Sequence, residues 1–236
     1  MFRSTQFTSA TGLGRTALAA FFLGFVMALH IALSLYCISH GNYATLSWCI
    51  YAIALCFFHF TEFLVTASYR PTTVSFESFI LDHSQAYHIA LLASCTEFWV
   101  EYLIFPSMRT LTHSQCCCLI GGIILLLFGQ SCRTAAMVSA ASNFSHTIEF
   151  SKRKDHFLVT SGIYRYVRHP SYLGWFYWSI STQIVLLNPI CLIVYIIMSW
   201  GFFKERIPFE EETLIMLFPN EYLAYKQRTV SGIPFI

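Results

Sequence analysis

Between Thr16 and Ile38 the chain reads TALAAFFLGFVMALHIALSLYCI, without one Asp, Glu, Lys or Arg. A helix needs about 20 apolar residues to cross the hydrocarbon of a bilayer. The run is too long for the apolar core of a secretory signal, so it reads as a retained span. The rest of the chain continues in the same vein: 56% of the residues are hydrophobic and 17% aromatic, while 11% are charged. Mean hydropathy is +0.58. Soluble domains carry about a quarter charged residues, so this composition excludes a soluble globular enzyme, and equally a disordered protein. A net charge of +2 is too small for a nucleic-acid footprint.

The pattern predicts an all-α, polytopic membrane protein with about six transmembrane helices, and two sizeable polar segments, Arg133 to Ser171 and Lys204 to Ile236, that hold most of the charge. After Thr16–Ile38, the expected spans run from Tyr43 or Thr45 to Thr66, Gln85 to Phe105, and Ser114 to about Cys132. A hairpin of Tyr172–Leu187 and Ile190–Phe203 follows, turned by Asn188-Pro189 with the proline pre-set for a helix start. Under this count one side of the membrane receives Arg3, Arg15, Arg70, Arg133, Lys152, Arg153, Lys154, Arg165, Arg168, Lys204, Arg206, Lys226 and Arg228. The other receives only Arg109. Basic residues favour cytoplasmic loops, which puts both termini in the cytosol. No internal repeat or long linker appears. The division expected is between amino-terminal helices (1–132) and a charge-bearing region in which function should lie (133–236), integrated as one domain.

Several features invite a chemical reading, each with a plainer one beside it. The nine cysteines lie in or beside apolar runs and lack zinc spacing, so they read as small packing residues. Arg168–Tyr172, RHPSY, stands just before a span. Pro170 suits the first turn of a helix whose free N–H groups would bind a carboxylate or phosphate, although an Arg with aromatic neighbours is also an interfacial anchor. Beyond the last span, Arg206, Glu210, Glu211 and Glu212 place both signs of charge together. Pro208 is expected to break or kink any helix there. Leu214, Leu217, Phe218, Tyr222 and Tyr225 recur at helical spacing, as in an amphipathic helix on a membrane surface. His59 and Glu62 share a helix face and read as a structural pair or as snorkelling groups rather than as a site.

Taken in order, SNFSH (Ser142–His146), HFLVTSGIYRYVRHPSYLGWFYWSI (His156–Ile180), TQIVLLNPI, ERI-x-x-EE-x-x-L, F-x-x-EY-x-x-Y and GIPFI resemble the isoprenylcysteine carboxyl methyltransferase family. The amino-terminal spans match it only in hydropathy, and their shortness points to six spans rather than eight. The resemblance implies methyl transfer from S-adenosyl-L-methionine to the C-terminal carboxylate of a prenylated cysteine. The acceptors would be CaaX-processed proteins such as small GTPases, or prenylated peptides, in the endoplasmic reticulum membrane among its lipids and with no nucleic acid. It also implies cofactor contacts at Glu149, His156, Phe157, Leu158, Val159, Tyr164, His169, Pro170, Ser171, Tyr172 and Glu210. Arg206 and Arg133 are the implied catalytic and acceptor-binding arginines; no metal is implied. Two departures stand out: Glu149 where some relatives have glutamine, and Pro208-Phe209 where more polar residues are common.

The residue types suit that chemistry. A free α-carboxyl titrates near about 3.5, so at neutral pH it is already a nucleophile and needs no general base. Arginine can hold such a carboxylate through two parallel hydrogen bonds. No Rossmann-type glycine fingerprint is present, so loop and helix-start groups would have to hold the cofactor. The aromatic run Trp175–Trp178 is a candidate wall for a lipid-facing tunnel, or part of an interfacial belt. Related R-H-P motifs occur in membrane sterol reductases and phospholipid methyltransferases, which stand as alternatives.

Overall fold

The structure, a computed structural model, describes residues 12–110, 112–152 and 156–236. Arg3, Arg153 and Lys154, which entered the charge asymmetry, lie outside the described residues. Helices α1 (Leu13–Ser39), α2 (Tyr43–Tyr69), α3 (Gln85–Ile104), α4 (His113–Ala140), α5 (Pro170–Leu186), α6 (Pro189–Leu217) and α7 (Pro219–Arg228) follow in order. Among the described residues no strand forms, and a single isolated bridge joins Val167 to Val230. Local chemistry sets the boundaries. Gly41, at φ +67°, turns the chain from α1 into α2. Asn42 and Ser84 cap α2 and α3 by accepting from the N–H groups of Thr45 and Tyr87, both at 3.2 Å. Proline opens α5, α6 and α7, where its missing N–H removes no helical bond.

These helices are apolar on the outside. Phe21, Phe25 and Leu35 of α1, Ile120 and Ile124 of α4, and Ile193, Ile197 and Met198 of α6 are all exposed, Ile124 and Met198 by 63% and 65%. Large apolar patches of this kind require a lipid environment rather than water, and the chain is a helical membrane protein. By length and hydropathy, Leu13–Ser39, Tyr43–Tyr69 and His113–Asn143 are sufficient to cross a bilayer. The remaining three long helices are more polar or shorter: α3 carries Glu97 and Glu101, α5 has 17 residues, and charge enters α6 at Lys204.

The chain divides into two compact units. The first comprises Met1–Leu126 with Ser179–Tyr195. There, α1 packs along α2, and His59 hydrogen-bonds the Phe79 carbonyl and the Tyr87 hydroxyl, both at 2.8 Å. Both contacts hold a buried ring within this unit, and neither is with Glu62, the neighbour with which a pair was expected. A polar clasp holds the hairpin turn. Arg109, only 5% exposed, pairs with Glu101 at 2.8 Å, donates to Asn188 Oδ1 at 3.0 Å and to the Leu186 carbonyl, and lies over the Phe98 ring. Asn188 donates in turn to the Ser94 carbonyl at 2.9 Å. Glu97 accepts from the N–H groups of Ile190 and Cys191, both at 2.7 Å, capping α6.

The second unit comprises Leu127–Trp178 with Ile196–Ile236. Its helices α4 and α5 meet backbone to backbone at Gly129 and Gly174. A Cβ on Gly129 would fall 2.5 Å from the Trp178 nitrogen, and one on Gly174 would strike the backbone of Arg133. Two sequence expectations change here. Pro208 lies inside α6 without ending it. Phe218, Tyr222 and Tyr225, expected on a membrane-surface helix, are buried as a cluster at 1–3% exposure. Apolar periodicity alone does not distinguish a bilayer from a protein interior as the surface it meets.

Gly129→Ala and Gly174→Ala should each cost at least about 1–3 kcal/mol, the usual range for overpacking, because the obstruction is backbone. Thermal unfolding in detergent reads this as a lowered Tm, with Gly24→Ala, which meets nothing within 4 Å, as the unchanged control.

Candidate active site

The second unit holds a cavity where the carboxy-terminal tail straps the start of α5. The backbone N–H groups of Arg168 and His169 donate to the carbonyls of Val230 and Ser231 at 2.8 and 3.1 Å. His169 in turn caps α5, its carbonyl accepting from Tyr172 and Leu173 at 3.0 and 2.9 Å. Trp200 Nε1 fastens the tail further along by donating to the Pro234 carbonyl at 2.9 Å, and the Tyr225 hydroxyl donates to the Tyr164 carbonyl at 2.6 Å.

Around the cavity stand His156, Phe157, Leu158, Val159, Tyr164, His169, Ser171, Tyr172 and Glu210, which the sequence singled out. Ala140, Asn143, Phe144, Ser145, Arg168, Leu214, Phe218, Tyr222 and Tyr225 complete the wall. The four remaining candidates are not part of this lining but touch residues that are or adjoin them. Pro170 is fully buried in the first turn of α5. Glu149 backs His156, with Oε2 3.7 Å from Nδ1. Arg133 donates to the Ser171 hydroxyl and lies over the Phe144 ring, 5.4 Å from its centroid. Arg206 donates through Nε to the Tyr172 hydroxyl at 2.8 Å and through Nη2 to the His146 carbonyl at 3.1 Å.

The Tyr172 hydroxyl donates onward to Glu210 Oε2, so one phenol joins an arginine to a cavity carboxylate. Arg206 and Glu210 are four residues apart, one helical turn, and the continuity of α6 through Pro208 keeps them on one face. Asn143 was not among the sequence candidates. Its Oδ1 accepts from the Phe157 N–H at 3.1 Å, which fixes the amide orientation, and its buried Nδ2 has no partner among the described residues.

Glu211 appeared in the sequence only as one of the charges beyond the last span, with no site role of its own. It is 4% exposed and accepts from Arg168 Nε at 2.8 Å, His169 Nε2 at 3.2 Å and Lys226 Nζ at 2.5 Å. Burial alone would raise its carboxyl, but the hydrogen bonds from His169, Lys226 and Arg168 outweigh burial and hold it well below the usual carboxylate range. Burial pushes the Tyr225 phenol up to about 12 and raises that of Tyr164 as well. Nothing in an acidic run of three says which carboxylate faces a cavity and which faces a cluster of cations.

Helices with lipid-facing apolar surfaces, and no strand among the described residues, define an integral membrane protein, here with a polar, aromatic cavity. A sequence model of the isoprenylcysteine carboxyl methyltransferase family matches residues 122–216. Protein-S-isoprenylcysteine O-methyltransferase of Xenopus laevis is 44% identical over 94% of this chain and 74% of its own length. That of Saccharomyces cerevisiae is 43% identical over 79% of each. The solved structure of the eukaryotic intramembrane Ras methyltransferase, isoprenylcysteine carboxyl methyltransferase, without a monobody, superposes with a TM-score of 0.81. It is 37% identical, over 96% of this chain and 88% of that one. The chain belongs to the isoprenylcysteine carboxyl methyltransferase family, and is a methyltransferase.

The Glu211 carboxyl titrates lower folded than unfolded, so its contribution to stability is complete above the ordinary carboxylate value of about 4.3 and is lost as pH falls below it. Melting curves should therefore show a Tm that declines below about pH 4. Glu211→Gln should lower Tm at neutral pH by an amount equivalent to about 3 kcal/mol, the lower end for breaking a buried pair, because half-exposed Lys226 can turn to water. It should also flatten the acid decline.

Proposed function

We propose that this chain transfers a methyl group from S-adenosyl-L-methionine to the C-terminal carboxylate of a prenylated cysteine in CaaX-processed proteins, small GTPases among them. The setting is the endoplasmic reticulum membrane, crossed by α1 to α6 with both termini in the cytosol. Residues 133–236 form the catalytic region, and the first 132 supply membrane helices. The observation that carries the reading is the Arg206–Tyr172–Glu210 chain, which ties a guanidinium suited to an acceptor carboxylate to the wall of a cavity suited to the methyl donor.

The residues present fit that donor. Glu210 offers an acceptor, the faces of Phe144, Tyr164 and Tyr172 suit a cation, and the Nδ2 of Asn143, without a partner among the described residues, suits an acceptor on a ligand. When bound, S-adenosyl-L-methionine supplies an activated methyl group next to a positive sulfur. The protein's part is placement. Arg206 has two of its nitrogens tied to Tyr172 and His146, which hold the fork still, and Nη1 remains without a partner among the described residues. Arg133, anchored on the Gly129–Gly174 contact and on Ser171, supplies a second positive charge. The acceptor is ionised before it arrives, so no side chain has to remove a proton. Orientation of this kind supplies up to about 7–11 kcal/mol of barrier lowering in favourable systems. A prenyl chain gains about 0.8 kcal/mol per buried methylene, which concentrates the acceptor in the bilayer around the enzyme.

Purified protein given radiolabelled S-adenosyl-L-methionine and N-acetyl-farnesylcysteine should form a base-labile methyl ester and form none with the non-prenylated analogue. Donor binding without transfer would shift the reading to a phospholipid acceptor. Glu210→Ala and His169→Ala should raise KM for the donor. Arg206→Ala and Arg133→Ala should raise KM for the acceptor by about tenfold or more, the loss of one charge-assisted hydrogen bond. Lysine at either position should restore only part, lacking the planar fork. Unchanged acceptor kinetics in both alanine variants would remove the two arginines from the acceptor site.

A further inference from the structure

Glu210 and Glu211 are adjacent on α6, yet only Glu210 lines the cavity. Glu211 meets His169, which does line it, and His169 makes its ring hydrogen bond there and nowhere else among the described residues. We propose that Glu211 is a positioning residue for donor binding: by accepting the Nε2–H of His169 it leaves Nδ1 as the ring nitrogen that receives a hydroxyl or amine hydrogen of the bound nucleoside. The proposal rests on the reading of the cavity as a methyl-donor site.

Three observations lead to it. A carboxylate only accepts, so the His169 nitrogen 3.2 Å from Glu211 Oε1 must carry the hydrogen. In a neutral imidazole the other nitrogen is then an acceptor, and the partner of one nitrogen decides the role of the other. A ring flipped over would turn a C–H toward the buried carboxylate, so the orientation is settled by the same contact. Glu211 is also not free to follow a wandering ring. Arg168 and Lys226 hold it at 2.8 and 2.5 Å, and Arg168 is anchored by the Thr229 and Lys226 carbonyls. Finally, one face of the ring is covered and its backbone is held. It stacks on Tyr172 at 5.5 Å and 5°, and its own backbone N–H is tied to Ser231. The ligand chemistry follows: an O–H or N–H donor suits Nδ1, and an anionic group does not.

The experiment is a double-mutant cycle on the Kd of S-adenosylhomocysteine, measured by calorimetry on the full chain in detergent, with His169→Ala and Glu211→Met as the two arms. Glu211→Met alone should raise Kd about tenfold, as expected for a misplaced hydrogen bond. In the His169→Ala background the same change should move Kd by less than about twofold, because the residue through which it acts is gone. Glu211→Gln, whose amide oxygen still accepts from Nε2–H, should keep Kd within about threefold of wild type. Should Glu211→Met not fold, Glu211→Asp, which draws the carboxylate back by one methylene, completes the same cycle. Wild-type binding with an unchanged Kd in a folded Glu211 variant overturns the positioning role, whatever happens to Tm, since a purely structural role lowers stability alone. A fully additive cycle overturns it as well. No binding by wild type, with Glu210→Ala indistinguishable from it, overturns the donor-site reading itself.

Discussion

Backbone that leaves a helix inside a membrane protein must find hydrogen-bond partners within the protein, and the stretch from Val167 to His169 meets that demand with the tail of the chain. Val230 and Ser231 supply the carbonyls, at 2.8 and 3.1 Å, that the N–H groups of Arg168 and His169 require. Much of the site follows from this exchange. It places His169 as the cap of α5, brings Pro170 into the first turn and puts Tyr172 opposite Arg206 and Glu210. The tail is held by side chains as well as backbone: Arg168 reaches Thr229, and Trp200 reaches Pro234. Gly232, at φ +105°, turns the tail back against Val167 and Leu173, where the space left is van der Waals contact.

The helices were legible because each obeys local rules. Apolar runs mark their lengths, and Asn188-Pro189 marks the hairpin turn at the place the structure puts it, where Leu187 adopts φ +55°. Of the two effects expected of Pro208, a break does not occur: α6 runs through it, in a stretch that buries Phe203, Ile207 and Glu211. The site divides in the same way. His156–Val159, Tyr164 and His169–Tyr172 sit on contiguous chain, so motifs could carry them to the cavity. Arg168 and Asn143 lie inside the RHPSY and SNFSH motifs, but the pairing of Arg168 with Glu211, 43 residues away, is set by the fold and was not legible in either motif. Arg109 is the counterpart in the first unit. Read as the lone basic residue of one face, it is a buried cation matched to Glu101 and to the hairpin turn.

The bridging phenol has a consequence for how the two halves of the site communicate. Tyr172 has one hydroxyl hydrogen, directed to Glu210, and its lone pairs receive Arg206. Any occupant that draws Glu210 toward itself alters the charge on that oxygen, and with it the hold on the guanidinium. An occupant of Arg206 acts back along the same path. Thermodynamic linkage makes the influence mutual and equal in both directions: whatever factor one ligand imposes on the other's affinity, it receives in return. On the reading proposed for this cavity, donor and acceptor would then bind as coupled ligands rather than independent ones. The order in which they arrive would change the rates and leave that shared factor untouched.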